Sequence, residues 1–187
     1  MPPKIKITKN EIINTALSLV REGGTEALNA RNIAASLGCS TQPIFSNYQG
    51  MSELYEAVER AAYETYLGYL KRESESGKYP KYKAFGMAYV RFASEEKELF
   101  RLLFMCDRKG DNAVTPDFTA SVDMIMEANG VSKETATLMH LESWSCVHGI
   151  ATMLATSFLS LSWELISDMI SDVYQGLRLR HLTEEKK

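Results

Sequence analysis

The sequence predicts an all-α protein of about nine helices. Apolar residues recur along most of the chain at spacings of three and four, the period of an α-helix, and the alternating pattern of a half-buried strand is almost absent. Side chains typical of helix starts and glycines typical of helix ends divide this pattern into segments of helical length. With 187 residues, 45% of them apolar and 24% charged, the chain is long enough to bury a substantial core.

The first two predicted helices have clear start and stop signals. Thr8 and Glu11 have the spacing of a capping box, and the helical pattern behind them runs to Gly23. Asn29 is a suitable cap for a shorter second helix, which Gly38 ends.

The third predicted helix is brief, and the later ones are longer. Ser40 or Thr41 can cap the third helix, Pro43 is tolerated because it falls in the first turn, and the pattern closes near Tyr48. A long helix runs from Ser52 toward Glu75, and further stops and starts fall at Gly77–Pro80, at Ser94 and in the polar stretch Asp107–Thr115. A helix then runs from Thr115 to Gly130, a long one capped by Ser132 passes through an uncharged stretch, and the last helix carries an apolar stripe from Ile166 to Leu177 and ends in Arg178, Arg180 and His181.

Charge and cysteine content limit the function classes. The net charge of −3 creates no general attraction for nucleic acid or for an acidic membrane, although residues 1–55 carry +1 and the remainder −4. Cys39, Cys106 and Cys146 are odd in number and far apart, unlike a disulfide framework or a zinc site. The first ten residues contain no apolar core of a secretory signal. We therefore expect reduced thiols and a cytoplasmic location.

An uncharged stretch from Ser143 to Trp163 raises the question of a membrane span. Eight of its 21 residues are Ser, Thr or His, a poor composition for the bilayer centre, so we expect a buried core or interface helix and no membrane contact. His140, Cys146 and His148 invite a metal interpretation. Positions 146 and 148 point about 200° apart on a helix, so these side chains do not converge. We expect neither a metal nor another cofactor.

The most informative pattern is a helix-turn-helix candidate. It consists of a helix over 31–37, a glycine-bearing turn over 38–40 and a helix over 41–48. In such a unit the second helix lies in the DNA major groove and presents polar side chains to base edges. Two short helices around a glycine also occur in proteins that touch no DNA, so the pattern alone leaves both interpretations open.

Further motifs resemble a known family. They are Ala16–Val20 followed by Gly23-Gly24, then Arg31–Ala34, Leu37-Gly38, Ile44-Phe45, Tyr48 and Glu53-Leu54. The run Thr8–Val58 resembles the DNA-binding domain of the tetracycline-repressor (TetR) family of bacterial regulators, and Trp144–Gly149 resembles the W…HG signature of one C-terminal subfamily. The resemblance implies a helix-turn-helix DNA-binding domain over 1–50 and a helical ligand-binding and dimerisation domain over 51–187.

The resemblance and the pattern together predict the DNA-binding side chains. Phe45 stands where the family usually has a phosphate-binding Tyr, and Met51 where it usually has a Lys, so two phosphate contacts are lost. The expected DNA-binding residues are Lys6, Arg31, Ser40, Thr41, Gln42, Pro43, Phe45, Ser46, Asn47 and Tyr48.

The resemblance also implies a cavity for a small apolar or aromatic effector. Aromatic and Met side chains at helical spacing serve this purpose, but they are also ordinary core residues. For His148, the alternative to ligand binding is a core or interface histidine whose hydrogen bonds are satisfied within the protein. The candidate ligand-binding residues are Phe85, Tyr89, Phe92, Phe104, Met124, Met139, Trp144 and His148.

Three functions are compatible with these patterns. The leading hypothesis is a ligand-responsive repressor that binds a palindromic double-stranded DNA operator as a homodimer through its last two helices. The second is a TetR-like sensor or protein-interaction module with weakened or lost DNA binding, which the two missing phosphate contacts favour. The third, an enzyme, lacks a nucleophile–base pair, a phosphate-binding glycine loop and a metal signature.

Overall fold

The computed structural model describes residues 7–106 and 118–184, and within them every regular element is a helix. This confirms the predicted all-α class. The described elements are α1 (Lys9–Gly23), a 3-10 turn (Thr25–Ala27), α2 (Ala30–Ser36), α3 (Gln42–Asn47), α4 (Met51–Glu75), α5 (Lys81–Glu95), α6 (Lys97–Phe104), α7 (Thr119–Asn129), α8 (Lys133–Ala155) and α9 (Trp163–Glu184).

Local capping signals place several of these helices as the sequence predicts. The Thr8 hydroxyl accepts from the Glu11 backbone N–H at 3.2 Å, and the Glu11 carboxylate accepts from the Thr8 N–H at 2.8 Å. The carboxamide oxygen of Asn29 accepts from the Asn32 N–H at 2.9 Å, which caps α2. The hydroxyl of Ser132 accepts from the N–H of Thr135 at 3.1 Å, which caps α8.

Two of the predicted boundaries differ in detail, and a third is not described. Thr41 is the N-cap residue of α3, but its side chain makes no capping hydrogen bond. The uncharged stretch from Ser143 to Trp163 is not one helix: α8 ends at Ala155, and Ser157 adopts a left-handed backbone angle (φ 57°). The predicted helix start at Thr115 lies outside the described residues.

The chain divides into two compact units. The first contains the described residues of 1–65 and 96–113, and the second those of 66–95 and 114–187. The predicted domain boundary after residue 50 coincides with the start of α4, whereas the two units divide α4 between Thr65 and Tyr66.

In the first unit, α1 packs against α2 and α6. The guanidinium of Arg21 donates two hydrogen bonds to the Glu96 carboxylate, at 2.8 and 3.0 Å, and this pair joins α1 to the start of α6. The Tyr55 hydroxyl donates to the Leu28 carbonyl at 3.0 Å and joins α4 to the segment before α2. The fully buried side chains of this unit include Ile12, Ile33, Ile44, Leu54, Val58, Leu99 and Phe100.

In the second unit, α5 lies against both α8 and α9. A Cβ added at Gly86 would lie 3.3 Å from Val147 and 3.7 Å from Ile170, so this residue allows the three helices to approach closely. The Lys83 ammonium donates to the hydroxyls of Ser167 and Ser171 on α9, each at 2.7 Å.

The turn between α2 and α3 generates a prediction about stability. Gly38 has a φ of +64°, and no atom lies within 4 Å of an added Cβ, so Gly38→Ala should destabilise the protein through backbone strain alone. The expected cost is about 1 kcal/mol. The matched control is Gly68→Ala in the exposed middle of α4, where alanine should stabilise by roughly 0.5–1 kcal/mol. The midpoint of thermal unfolding, measured by circular dichroism, should therefore fall for Gly38→Ala and rise for Gly68→Ala. Equal shifts of the two midpoints would contradict this account.

Candidate nucleic-acid interface and ligand site

The first candidate site is the helix-turn-helix formed by α2 and α3. Ile33 and Ala34 bury one face of α2, and Ile44 fully buries the inner face of α3. Between the helices, the Cys39 N–H donates to the Ala34 carbonyl at 2.9 Å, which closes the turn at Gly38. The short second helix is therefore held in one orientation by the turn and by its buried isoleucine.

The outer face of α3 is exposed and neutral. It presents Gln42, Phe45 and Ser46, whose spacing places them on one side of the helix, and the Phe45 side chain is 47% exposed. The Ser46 hydroxyl donates to the Gln42 carbonyl at 2.9 Å, so its proton is used within the helix. Arg31 and Ser40 are also exposed, at the start of α2 and before α3.

Other predicted DNA-binding residues have structural contacts in the first unit. The side-chain amide of Asn47 donates to the carbonyls of Pro43, at 2.8 Å, and Ile7, at 3.4 Å. Tyr48 is only 5% exposed, and the Lys9 ammonium lies 5.0 Å from its ring centroid. These side chains hold α3 in place rather than projecting from it.

The remaining members of the predicted set are intermediate or not described. Thr41 and Pro43 are half-buried at the start of α3. Lys6 lies outside the described residues.

The second candidate site is built from two tyrosine–histidine pairs between α5 and α8. The Tyr82 hydroxyl is hydrogen-bonded to Nδ1 of His140 at 3.0 Å, and the Tyr89 hydroxyl to Nδ1 of His148 at 2.9 Å. The second pair lies seven residues further along α5 and eight further along α8, so the two helices run in the same direction.

Aromatic rings surround these pairs. The Trp144 indole stacks on the His148 imidazole, with centroids 4.9 Å apart and ring planes inclined by 20°. Phe118 lies 4.6 Å from the His140 ring and 5.8 Å from the Trp144 ring. We call these four residues, together with Tyr82 and Tyr89, the histidine–aromatic cluster.

The cluster and the next turn of α8 contain buried polar atoms. His140 is 6% exposed, its Nε2 has no hydrogen-bond partner, and the hydroxyl of Thr152 is likewise buried without one. Burial lowers the pKa of the His140 imidazole and raises the pKa of the Tyr82 phenol, so both groups are neutral near pH 7. A neutral apolar group with a single hydrogen-bonding function matches this chemistry.

The structure brings together only part of the predicted ligand-binding set. Tyr89, Trp144 and His148 meet in the histidine–aromatic cluster, as described. Phe92 is fully buried against Tyr66 and Tyr69, with centroids 5.4 and 5.5 Å apart.

The other predicted ligand-binding residues lie elsewhere. Met139 is fully buried in an apolar core with Val122 and Ile125. Phe85 and Met124 are half-buried on α5 and α7. Phe104 belongs to the first unit, where its ring lies 5.4 Å from that of Phe100, and so it is not part of the cluster.

The sequence analysis did not place Tyr82, Phe118, His140 and Thr152 in the candidate ligand-binding set. A signal for two of them was present, because His140, Trp144, His148 and Thr152 are spaced by four and therefore share one face of α8. Within residues 7–106 and 118–184, no three His, Cys, Asp or Glu side chains are grouped to hold a metal ion. No helix in the same ranges is long and apolar enough to cross a membrane.

Comparison with protein families gives one match. Residues 82–170, which run from the second residue of α5 into α9, match the tetracyclin repressor-like C-terminal domain. No curated protein sequence shows significant similarity to the chain.

Solved structures share the fold over almost the whole chain. A TetR-like transcriptional regulator from Rhodococcus sp. RHA1 aligns with a TM-score of 0.63 and 15% identity, covering 98% of both chains. A protein of unknown function from the same organism gives 0.68 and 19%, covering 95% of this chain and 97% of that one. A TetR variant from Acinetobacter baumannii AYE in complex with minocycline gives 0.52 and 17%, covering 92% and 93%.

The chain therefore has the fold of a TetR-like transcriptional regulator. Within this fold, the tetracyclin repressor-like C-terminal domain accounts for residues 82–170.

Protonation of His140 provides a prediction about pH. The folded state resists protonation because burial lowers the pKa of His140, whereas the unfolded chain binds the proton near the ordinary value of 6.5. The contribution of neutral His140 to the free energy of unfolding is complete above about pH 6.5, and it is lost as the pH falls through the lower pKa of the folded state.

His140→Gln removes this titration, so it should lose less stability than the wild type between about pH 7 and pH 5. Urea denaturation of both proteins at the two pH values measures the difference, and comparison of the two cancels the other titrating groups. Equal losses would show that His140 is not the group responsible.

Proposed function

We propose that the protein is a ligand-responsive repressor that binds a palindromic DNA operator as a homodimer and is released by a small, neutral, apolar or aromatic effector. The observation that carries the proposal is the outer face of α3, which presents Gln42, Phe45 and Ser46 to solvent on a firmly packed helix. The proposal assigns the protein no catalytic activity, and a cytoplasmic location follows from its action on DNA.

The exposed face of α3 has chemistry that suits base edges. The Gln42 side chain can make a bidentate pair with adenine, and the neutral surface avoids repulsion from the phosphates. Arg31 supplies an exposed cation at the start of α2, where it can bind a phosphate and fix the position of the helix-turn-helix on the duplex.

The outer faces of α8 and α9 support the homodimer. Leu138 and Leu141 on α8, and Leu165 and Leu179 on α9, are large apolar side chains exposed in the single chain. Gly149 on α8 has no neighbouring atom within 4 Å of an added Cβ, which leaves room for a second backbone. Two such helices from each subunit would bury the exposed leucines in a four-helix interface.

The histidine–aromatic cluster is the proposed effector site. It combines stacked rings from Trp144 and His148 with the unpaired Nε2 of His140, which gives a ligand an apolar surface and one polar anchor. An effector releases DNA only if it binds more tightly to the state whose α3 helices do not match successive major grooves.

In-vitro selection from random duplex DNA, at about physiological salt, tests the proposal. A homodimeric operator-binding regulator should enrich a site with two-fold symmetry, because two α3 helices related by a dyad contact equivalent half-sites. Failure to enrich any sequence, with protein shown to be folded and dimeric, would reject operator binding.

That negative outcome would favour the second candidate function, a TetR-like sensor or interaction module. Two observations support this alternative: Phe45 has no hydroxyl for a phosphate, and Met51 at the start of α4 has no charge. Both changes weaken backbone binding rather than sequence reading.

The proposed interface generates a prediction about assembly. Leu138→Glu combined with Leu141→Glu should convert a dimer of twice the 21.0 kDa chain mass into a monomer, because the interface would bury two unpaired carboxylates per subunit. Multi-angle light scattering after size exclusion measures the mass.

The matched control is Leu67→Glu, which changes an equally exposed leucine on α4 and should leave the dimer intact. The double variant should also lose operator affinity, since a single α3 contacts only one half-site. A double variant that stays dimeric would place the interface elsewhere.

A further inference from the structure

Phe45 is the one large apolar side chain on the exposed face of α3. It is 47% exposed, while its neighbour Ile44 is fully buried and fixes the rotation of the helix. The side-chain amide of Asn47 donates to the Pro43 carbonyl at 2.8 Å, so this side chain is bonded to α3 and does not project from it. Phe45 is therefore held outward by its neighbours.

The hydrogen-bonding capacity of this face is small. The Ser46 hydroxyl proton is used by the Gln42 carbonyl, and the Asn47 amide hydrogens are directed to backbone carbonyls. The Gln42 side chain is the remaining amide on the face. Few hydrogen-bond donors on α3 therefore remain for base edges, and the Phe45 ring is the largest apolar surface that the helix exposes.

In the major groove, the apolar feature that distinguishes one base from the others is the 5-methyl group of thymine. A phenyl ring can contact this methyl group, and it has no donor with which to bind a phosphate. We propose that Phe45 is a specificity-determining residue that selects thymine through its methyl group, beside an adenine read by Gln42. This inference rests on the proposed operator binding.

The spacing of the two side chains agrees with neighbouring base pairs. Residues three apart on a helix are separated by about 4.5 Å along its axis, close to the rise of about 3.4 Å between base pairs. Each half-site should therefore contain the adenine and the thymine at adjacent or nearly adjacent positions.

Deoxyuridine differs from thymidine only by the missing methyl group, and so it isolates the proposed contact. In the selected operator, replacing the contacted thymine by deoxyuridine should weaken wild-type binding by about fourfold when one half-site is changed. The same replacement in both half-sites should weaken binding by roughly fifteenfold. Fluorescence anisotropy titrations of the substituted duplexes measure these ratios.

Variants of Phe45 and Gln42 then show which residue causes the deoxyuridine penalty. Phe45→Ala should bind the thymidine and deoxyuridine operators equally, whereas Phe45→Leu should keep part of the difference. Gln42→Ala, a change on the same face, should keep the deoxyuridine penalty and lose the preference for adenine. Because Phe45 is exposed, thermal unfolding of Phe45→Ala should match the wild type.

Each other outcome is decisive. A deoxyuridine penalty that persists in Phe45→Ala would assign the methyl contact to another residue, and the absence of any penalty in the wild type would show that no methyl group is read. Either result overturns this inference and leaves operator binding in place. If the wild type enriches no operator, the proposed function fails and this inference fails with it.

Discussion

The burial of Ile44 is the constraint on which the helix-turn-helix depends. A helix of six residues is too short to be stable in water, so α3 exists because its inner face packs into the first unit. The Tyr48 ring and the Asn47 amide extend this anchoring along the helix. Anchoring on one side gives the other side a fixed orientation, and a fixed orientation is what base reading requires.

The second unit contains buried polar contacts between its helices. Its two tyrosine–histidine pairs fix the register of α5 against α8, and burial keeps His140 and Tyr82 uncharged. The same pairing leaves Nε2 of His140 without a partner, at an energetic cost that a hydrogen-bonding ligand would remove. The register of the two helices and the proposed effector site thus depend on the same side chains.

Features set by neighbouring residues were predictable from the sequence, and those set by distant contacts were not. The caps at Thr8, Asn29 and Ser132 involve partners three residues away, so their patterns can be read directly. The partner of His140 is 58 residues away, and the burial of Tyr48 results from tertiary packing. The sequence pattern therefore predicted the helix-turn-helix better than it predicted the composition of the histidine–aromatic cluster.

The pairing of Arg21 with Glu96 has a consequence for the modularity of this chain. It belongs to the first unit, yet its partners are separated by 75 residues and by the whole of α5. The apolar face of α6, including the fully buried Leu99 and Phe100, is part of the same unit. A recombination event that exchanged only the first 65 residues would separate α1 from α6, so a functional chimaera must inherit both segments together.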